Sequence, residues 1–444
     1  MMRRLATALS LALTLVAGPA LAQGLIRDAE IERTLDRLAA PLVAAAGLNA
    51  GSVEILIVNS REMNAFVMPG GRMFIHAGLV QQLDRADMLQ AVMAHEIGHI
   101  VSGHIEQRAL EAQMGGRTSI AGLLLGVLVG AAGAPEAGIF IARGAQGAAL
   151  GDLLAYTRAQ EAAADQSAVR LMERAGIDPG AAIDTLALFR GQELLSSARM
   201  DPYARTHPLT SDRIDLLERA AGNSPHRGAR PDPATAEAYA RMQAKFDGFL
   251  RSPRNALDRV EGRTDMAARI QRAVALHRLP APADALREID AAIAIEPQNP
   301  WLHELKGQFL LENGQAAAAI GPYRQALALA PGEALLRSGL GQALLALNTA
   351  EANREALDLL ERARDTMVGT PVSLRALAEA HARAGNQALA ALYTAERHAL
   401  GGSLPDALRF ARIARDGLPN GSPGWIRATE LLSTLERIEE QRRG

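Results

Sequence analysis

Cysteine is absent from all 444 residues. That excludes disulfides, a lipoprotein anchor and thiol chemistry. It leaves export open, because an oxidising compartment does not require disulfides. Lysine occurs only at Lys245 and Lys306, so nearly all positive charge is arginine. Aromatic residues make up 3% of the chain, and its 48% hydrophobic content must pack through Ala, Leu, Ile and Val. No basic stripe accompanies the net charge of −2, which argues against a nucleic-acid binder. Long apolar runs are missing too. Leu5 to Val16 and Ile120 to Ala134 both fall short of the roughly 20 residues that cross a bilayer.

The chain is long enough for two or three domains. Its start reads as a secretory signal, residues 1–22. Arg3 and Arg4 precede the apolar run, and Ala20-Leu21-Ala22 places small residues where a signal peptidase cuts, before Gln23. Residues 24–50 then read as a helix. Residues 53–59 read as a strand, and Asn64 to Met68 with Arg72 to Ile75 as two more around a Pro69-Gly70-Gly71 turn. Gly78 to Leu83 begins helical structure. Asp87 to Gly103 is a helix with Asp87 at its start, and Asp152 to Ala175 is another. The uncharged, Gly- and Ala-rich stretch within 120–150 fits a buried hairpin, a lid or a peripheral membrane contact. Residues 222–262 read as a linker and connecting helix, the linker marked by three prolines within 222–235.

Beyond 263 small and apolar residues recur every 34 positions. Gly307, Leu310, Ala319, Tyr323, Ala326 and Pro331 follow Ala273, Leu276, Ala285, Ile289, Ala292 and Pro297. Gly341 and Leu344 continue the series, Asn353 and Leu357 break it, and Ala407, Ala411, Ala414 and Pro419 repeat its second half. This pattern resembles tetratricopeptide repeats over 263–435, with a tail at 436–444. Small residues let paired helices touch, and the proline ends each second helix.

His95-Glu96-Ile97-Gly98-His99 is an H-E-x-x-H sequence on a predicted helix. Residues four apart lie about 40° apart around the axis and about 6 Å along it, so two imidazoles converge on one tetrahedral zinc ion. Glu96 stands beside water on that ion and can serve as its base. A third ligand is needed. His104 would lie about 180° from His95 on a continuous helix and reads as a structural or surface residue instead. Glu161 and Asp165 share a face of the later helix, with alanines between them. Glu161 suits the third ligand position, and Asp165 suits a partner that orients a ligand histidine.

These motifs, with Asn64-Ala65-Phe66, Pro69-Gly70-Gly71 and Gly78-Leu79 before them, resemble the HtpX and CAAX-prenyl-endopeptidase family of zinc peptidases. The resemblance implies a mainly α, gluzincin-type peptidase domain with a small β-sheet over residues 23–221, followed here by an α-solenoid. It implies one Zn2+ per chain, and an edge strand at Asn64, Ala65 and Phe66 that holds extended peptide. It also implies that His207, in Thr206-His207-Pro208-Leu209 followed by Arg213, approaches the metal, either as oxyanion donor or as a plug in the open position; the plug is the reading preferred here. Pro208 would stiffen the chain after His207, and residues 192–206 would form a movable loop. With an export signal and repeats, the expectation is a periplasmic endopeptidase in outer-membrane protein quality control. Its partners would be unfolded or misassembled envelope proteins and, through the repeats, assembly machinery. Activity on prenylated proteins is not expected. The alternatives are a chaperone or scaffold with a latent peptidase domain and, more weakly, a cell-wall lytic enzyme.

Overall fold

The computed structural model describes residues 24–114, 156–192, 200–208, 210–364 and 371–443. The expected signal peptide and the 120–150 segment lie outside these residues. So do residues 193–199 of the expected 192–206 loop, whose end, Pro202–Thr206, is helical.

The N-terminal half is built on a four-stranded sheet. Its strands are β1 (Leu25–Ile26), β2 (Glu54–Val58), β3 (Ala65–Met68) and β4 (Arg72–His76), in the order β1-β2-β4-β3. β2 runs parallel to β4, and β3 pairs antiparallel with β4. The β3–β4 turn contains Gly70 and Gly71 at φ 85° and 73°. At Gly71 any Cβ would lie 2.1 Å from the Ser52 carbonyl oxygen, so only glycine fits. The expected helix over 24–50 is partly wrong. Leu25 and Ile26 pair with Val58 and Ile57, and helix α1 (Ala29–Ala45) begins only at the Asp28 cap.

After α2 (Ala77–Val80) comes α3 (Ala86–Val101), buried on every side from Ala86 to His99. A helix apolar all round belongs at the centre of a domain. α3 packs against α1, α5 (Arg158–Arg174) and α6 (Gly180–Ala187). Its N-cap is Arg85 rather than Asp87, whose carboxylate sits in the first turn and accepts from Arg85 Nε at 3.0 Å. α3 ends at Ser102. Gly103, at φ 64°, turns the chain before α4 (His104–Met114). α7 (Pro202–Thr206) and α8 (Ser211–Gly222) complete this half.

The expected linker contains α9 (Pro233–Leu250), capped by Asp232, and α10 (Pro253–Asp258). α9 packs on both α1 and α11 (Met266–His277). Helices then alternate in antiparallel pairs: α11 with α12 (Pro282–Ile295), α13 (Pro300–Glu312) with α14 (Ala316–Leu329), and α15 (Ala334–Leu347) with α16 (Ala350–Arg364). α17 (Pro371–Arg383) with α18 (Gln387–Gly401) and α19 (Leu404–Gly417) with α20 (Pro423–Arg443) follow. Residues 436–443, read as a tail, continue α20. The pairing physics is visible at Tyr323. Its ring lies 2.8 Å from where a Cβ on Gly307 would stand and 2.5 Å from one on Gly339. Where the pattern fades, Leu360 fills the same kind of space against Gly341.

One junction joins the two halves through charge. Lys245 of α9, 1% exposed, has its Nζ 2.9 Å from Asp28, 3.0 Å from Glu30 and 3.8 Å from Glu304 of α13. Among the described residues no helix is long and apolar enough to cross a membrane.

Candidate metal centre

α3 and α5 touch where their side chains are smallest. A Cβ on Gly98 would stand 2.9 Å from the Ala164 carbonyl oxygen and 3.2 Å from Ser167 Cβ. That approach brings Glu161 of α5 against His95 and His99 of α3. His95 Nε2 lies 3.1 Å from His99 Nε2 and 3.5 Å from Glu161 Oε2, and His99 Nε2 lies 3.3 Å from Glu161 Oε1. His207, the residue after α7, enters the same space. Its Nδ1 is 3.0 Å from Glu161 Oε1 and 3.3 Å from His95 Nε2. All four side chains are buried, and one ligand atom from each lies within 4.8 Å of the others. Metal–ligand bonds of about 2.0–2.1 Å give a tetrahedron with edges of about 3.3 Å; several contacts here, at 3.0–3.5 Å, match that edge, and the four ligand atoms as a set lie within 4.8 Å of one another. Three imidazoles and a carboxylate are a donor set that fits a divalent transition metal.

His95 and Glu161 are each held from behind. Asp165 Oδ1 is 2.9 Å from His95 Nδ1. Arg213 clamps Asp165 with Nε at 2.7 Å and Nη2 at 2.9 Å, and its Nη1 reaches Glu161 Oε2 at 2.6 Å. Nη1 also donates to the Pro208 carbonyl at 2.8 Å, which ties the His207 segment to α5. From the sequence, Arg213 stood out only as part of the Thr-His-Pro stretch.

The metal-free cluster balances its charge with protons. Burial opposes a charged His95, but the Glu161 and Asp165 carboxylates outweigh it and push the imidazole up to about 10. Burial pushes His99 down to about 3. Glu161 is buried as well, yet His207 and His95 hold its carboxyl well below the usual range. Incoming metal therefore competes with a proton on His95.

Glu96 is fully buried, and among the described residues neither of its carboxylate oxygens has a hydrogen-bond partner. Its Oε1 lies 3.4 Å from His207 Nε2. Burial raises its pKa, as suits a group that must take a proton. His207 Nε2 also lies 3.3 Å from the Ala65 carbonyl oxygen of β3. β3 is an edge strand. The His76 amide donates to Asn64 O, so Asn64 and Phe66 face β4 and the main chains of Ala65 and Val67 face the free edge. Phe66 stacks on Phe74 with centroids 5.2 Å apart.

Two further residues escaped the sequence reading. Tyr156 stacks on His99 at 3.7 Å between centroids, and its amide donates to Thr206 O. His104, expected to be structural or surface, is buried, with Nδ1 2.9 Å from His99 Nδ1. A 180° separation from His95 holds only for a helix running through 104. The break at Gly103 returns His104 to the His99 side, and that glycine was the available signal.

Residues 26–221 match Peptidase family M48. The chain is 27% identical over 428 residues to the beta-barrel assembly-enhancing protease of Yersinia pestis, covering 94% of this chain and 86% of that one. It is 28% identical over 413 residues to the protein of the same name from Escherichia coli (strain K12), covering 88% and 83%. The mitochondrial metalloendopeptidase OMA1 of Schizosaccharomyces pombe is 28% identical over 191 residues, 42% of this chain and 51% of that one.

Proposed function

We propose that the metalloprotease formed by the Peptidase family M48 domain at residues 26–221 is a zinc-dependent endopeptidase of the bacterial periplasm, acting in outer-membrane protein quality control or assembly. The observation that carries the reading is the convergence of His95, His99, Glu161 and His207 beside the unpartnered Glu96. Zinc as the metal fits the nitrogen-rich donor set and the tetrahedral spacing. The envelope role draws on similarity to proteases named for β-barrel assembly, over most of both chains, and on the signal-like N-terminus. The repeats at 263–435 are the docking platform for substrates or assembly machinery, since stacked pairs leave an extended concave face.

Bound zinc supplies an acidified water and a polarised carbonyl. The chain supplies the rest. His95, His99 and Glu161 hold the ion, and Asp165 with Arg213 holds His95 and Glu161 in place. Glu96 takes the proton from the attacking water and returns it to the leaving amine. The outward main-chain groups of Ala65 and Val67 hold an extended peptide by strand addition.

His207 is the plug. In the conformation described it occupies the fourth donor position and covers the Ala65 carbonyl, so one residue blocks both the metal and the substrate edge. His207→Ala should raise background cleavage of an unfolded protein. Abolished cleavage with zinc retained would assign it to the oxyanion instead, and unchanged cleavage with unchanged zinc affinity would remove both roles.

Glu96→Gln tests the whole reading. Cleavage of an unfolded protein should fall by about 10²–10⁴-fold while one zinc per chain remains. Purified wild-type chain without stoichiometric zinc overturns it. A second reading, a chaperone or scaffold with a latent peptidase domain, draws on the plugged site. Full rescue of an envelope-assembly defect by Glu96→Gln would favour it.

A further inference from the structure

His95 has a carboxylate behind it and Glu161 has a guanidinium. The third ligand candidate, His99, is 0% exposed and has neither. Its Nε2 faces the cluster, 3.1 Å from His95 Nε2 and 3.3 Å from Glu161 Oε1. Its Nδ1 therefore points away from the cluster, and the only partner given for it among the described residues is His104 Nδ1 at 2.9 Å. Two ring nitrogens at that distance share one hydrogen. If His99 binds metal through Nε2, the lone pair is spent there and the hydrogen must sit on Nδ1. His104 Nδ1 is then the acceptor.

We propose that His104 is a positioning residue for the metal site. By accepting the Nδ1–H of His99 it selects the tautomer, and fixes the ring rotation, that presents Nε2 to the ion. The inference rests on the zinc reading above. A metal-bound histidine ordinarily gives its other N–H to a carboxylate, a backbone carbonyl or water. A neutral imidazole in that role suits this pocket. Glu96, Glu161 and Asp165 are already three buried carboxylates around these imidazoles, and a fourth would add buried negative charge. Tyr156 supplies the remaining constraint. Its ring lies against His99 at an interplanar angle of 18°, so His99 can turn only within its own plane, and the His104 contact stops that turn.

The test uses the full chain and zinc alone, with affinity measured by competition against a chromogenic chelator. His104→Ala and His104→Leu both remove the acceptor, and leucine keeps the space filled. Each should weaken zinc binding by about 10- to 100-fold. His104→Asn places an amide oxygen near the lost Nδ1 and should recover most of the affinity. In cobalt-substituted protein the visible bands should move in the leucine variant and return in the asparagine variant. Metal-free melting temperature reports packing and should separate alanine from leucine without following affinity. Wild-type affinity in a folded His104→Leu overturns the proposal. So does an asparagine variant as weak as leucine, since ring packing alone would then explain the loss. Wild-type chain that binds no zinc overturns the zinc reading itself, whereas the first two results leave that reading standing.

Discussion

Two places in this chain gather three carboxylates beside a basic side chain. At the metal centre Glu161 and Asp165 contact Arg213, and Glu96 lies beside His207. At the junction of the two halves Asp28, Glu30 and Glu304 surround Lys245. Composition alone does not separate them; the neighbours do. The first place has three imidazoles with nitrogens turned inward, so excess negative charge can be met by a divalent ion. The second sets carboxylate oxygens against a built-in ammonium, with the Arg241 guanidinium acting on Glu30 as well. There the excess is met by a proton. Burial raises Glu304, Lys245 opposes the rise, and Asp28 and Glu30 add to it, leaving the carboxyl at about 8. The same charge count gives a metal site in one setting and a protonated clasp in the other.

The largest effect should come from Lys245→Met. Removing one partner of a buried ion pair leaves uncompensated charge and costs about 3–5 kcal/mol. Denaturant unfolding should show the loss, and zinc affinity should stay at the wild-type value. A proportional fall in zinc affinity would mean that the clusters are coupled, with α1 the obvious route because it packs on both α9 and α3.

Metal removal is the matching test at the other cluster. With free zinc at 100 times its dissociation constant, chelation should cost about 2.7 kcal/mol. Glu161→Ala should abolish that difference and Lys245→Met should preserve it. If chelation costs nothing in the wild type, the first cluster is balanced by protons, like the second.

The two clusters also differ in how legible they were. Spacing put His95 with His99, and Glu161 with Asp165, on one helix face each; that the two faces meet was read from the ligand set a zinc site needs and from the family resemblance. The alanines around Glu161 even signalled the close approach that Gly98 completes. What spacing cannot carry across is a chain reversal. Gly103 hid the contact between His104 and His99, and Leu25–Ile26 read as helix because its partner β2 lies about 30 residues on. The junction was illegible for the same reason in stronger form. Its four charges come from an N-cap, two helix starts or interiors near the N-terminus and in α9, and a repeat helix, and each alone looks like a solvated surface residue. The repeats were read from their small residues where Gly307 and Tyr323 keep the pattern. They were lost where Leu360 does the same work from the position that Ala292 and Ala326 hold in the earlier repeats.

A smaller effect follows from the proton. A carboxyl with a pKa near 4.5 when unfolded and about 8 when folded binds its proton more tightly in the folded state. Between those values the folded chain holds more protons, so stability falls as pH rises through the window and levels off above it. The slope is at most roughly 1.4 kcal/mol per pH unit for one group. Glu304→Gln should flatten that part of the profile, measured as wild type minus variant between pH 5 and pH 8 by denaturant titration. A difference that does not vary with pH would leave the junction's excess charge unexplained by Glu304.

The smallest effect belongs to a second link across the same boundary. Arg33 of α1 meets Glu333, the N-cap of α15, with Nε 2.5 Å from Oε1. The geometry is as close as anything around Lys245, but the Arg33 side chain is 55% exposed and that of Lys245 1%. Water and salt screen the exposed pair, and ordering two long side chains offsets much of its attraction, so such pairs contribute about 0–1 kcal/mol. Arg33→Ala should therefore shift the unfolding midpoint little. That small shift should vanish near 1 M salt, where screening acts over about 3 Å. The cost of Lys245→Met should survive the same salt, because its partners are shielded by protein. If both variants lost their effect in salt, the junction would be open to solvent, and burial would no longer distinguish the clasp from an ordinary surface bridge. If neither did, Arg33 would belong to the buried network, and the contact between α1 and the repeats would be tighter than its exposure implies.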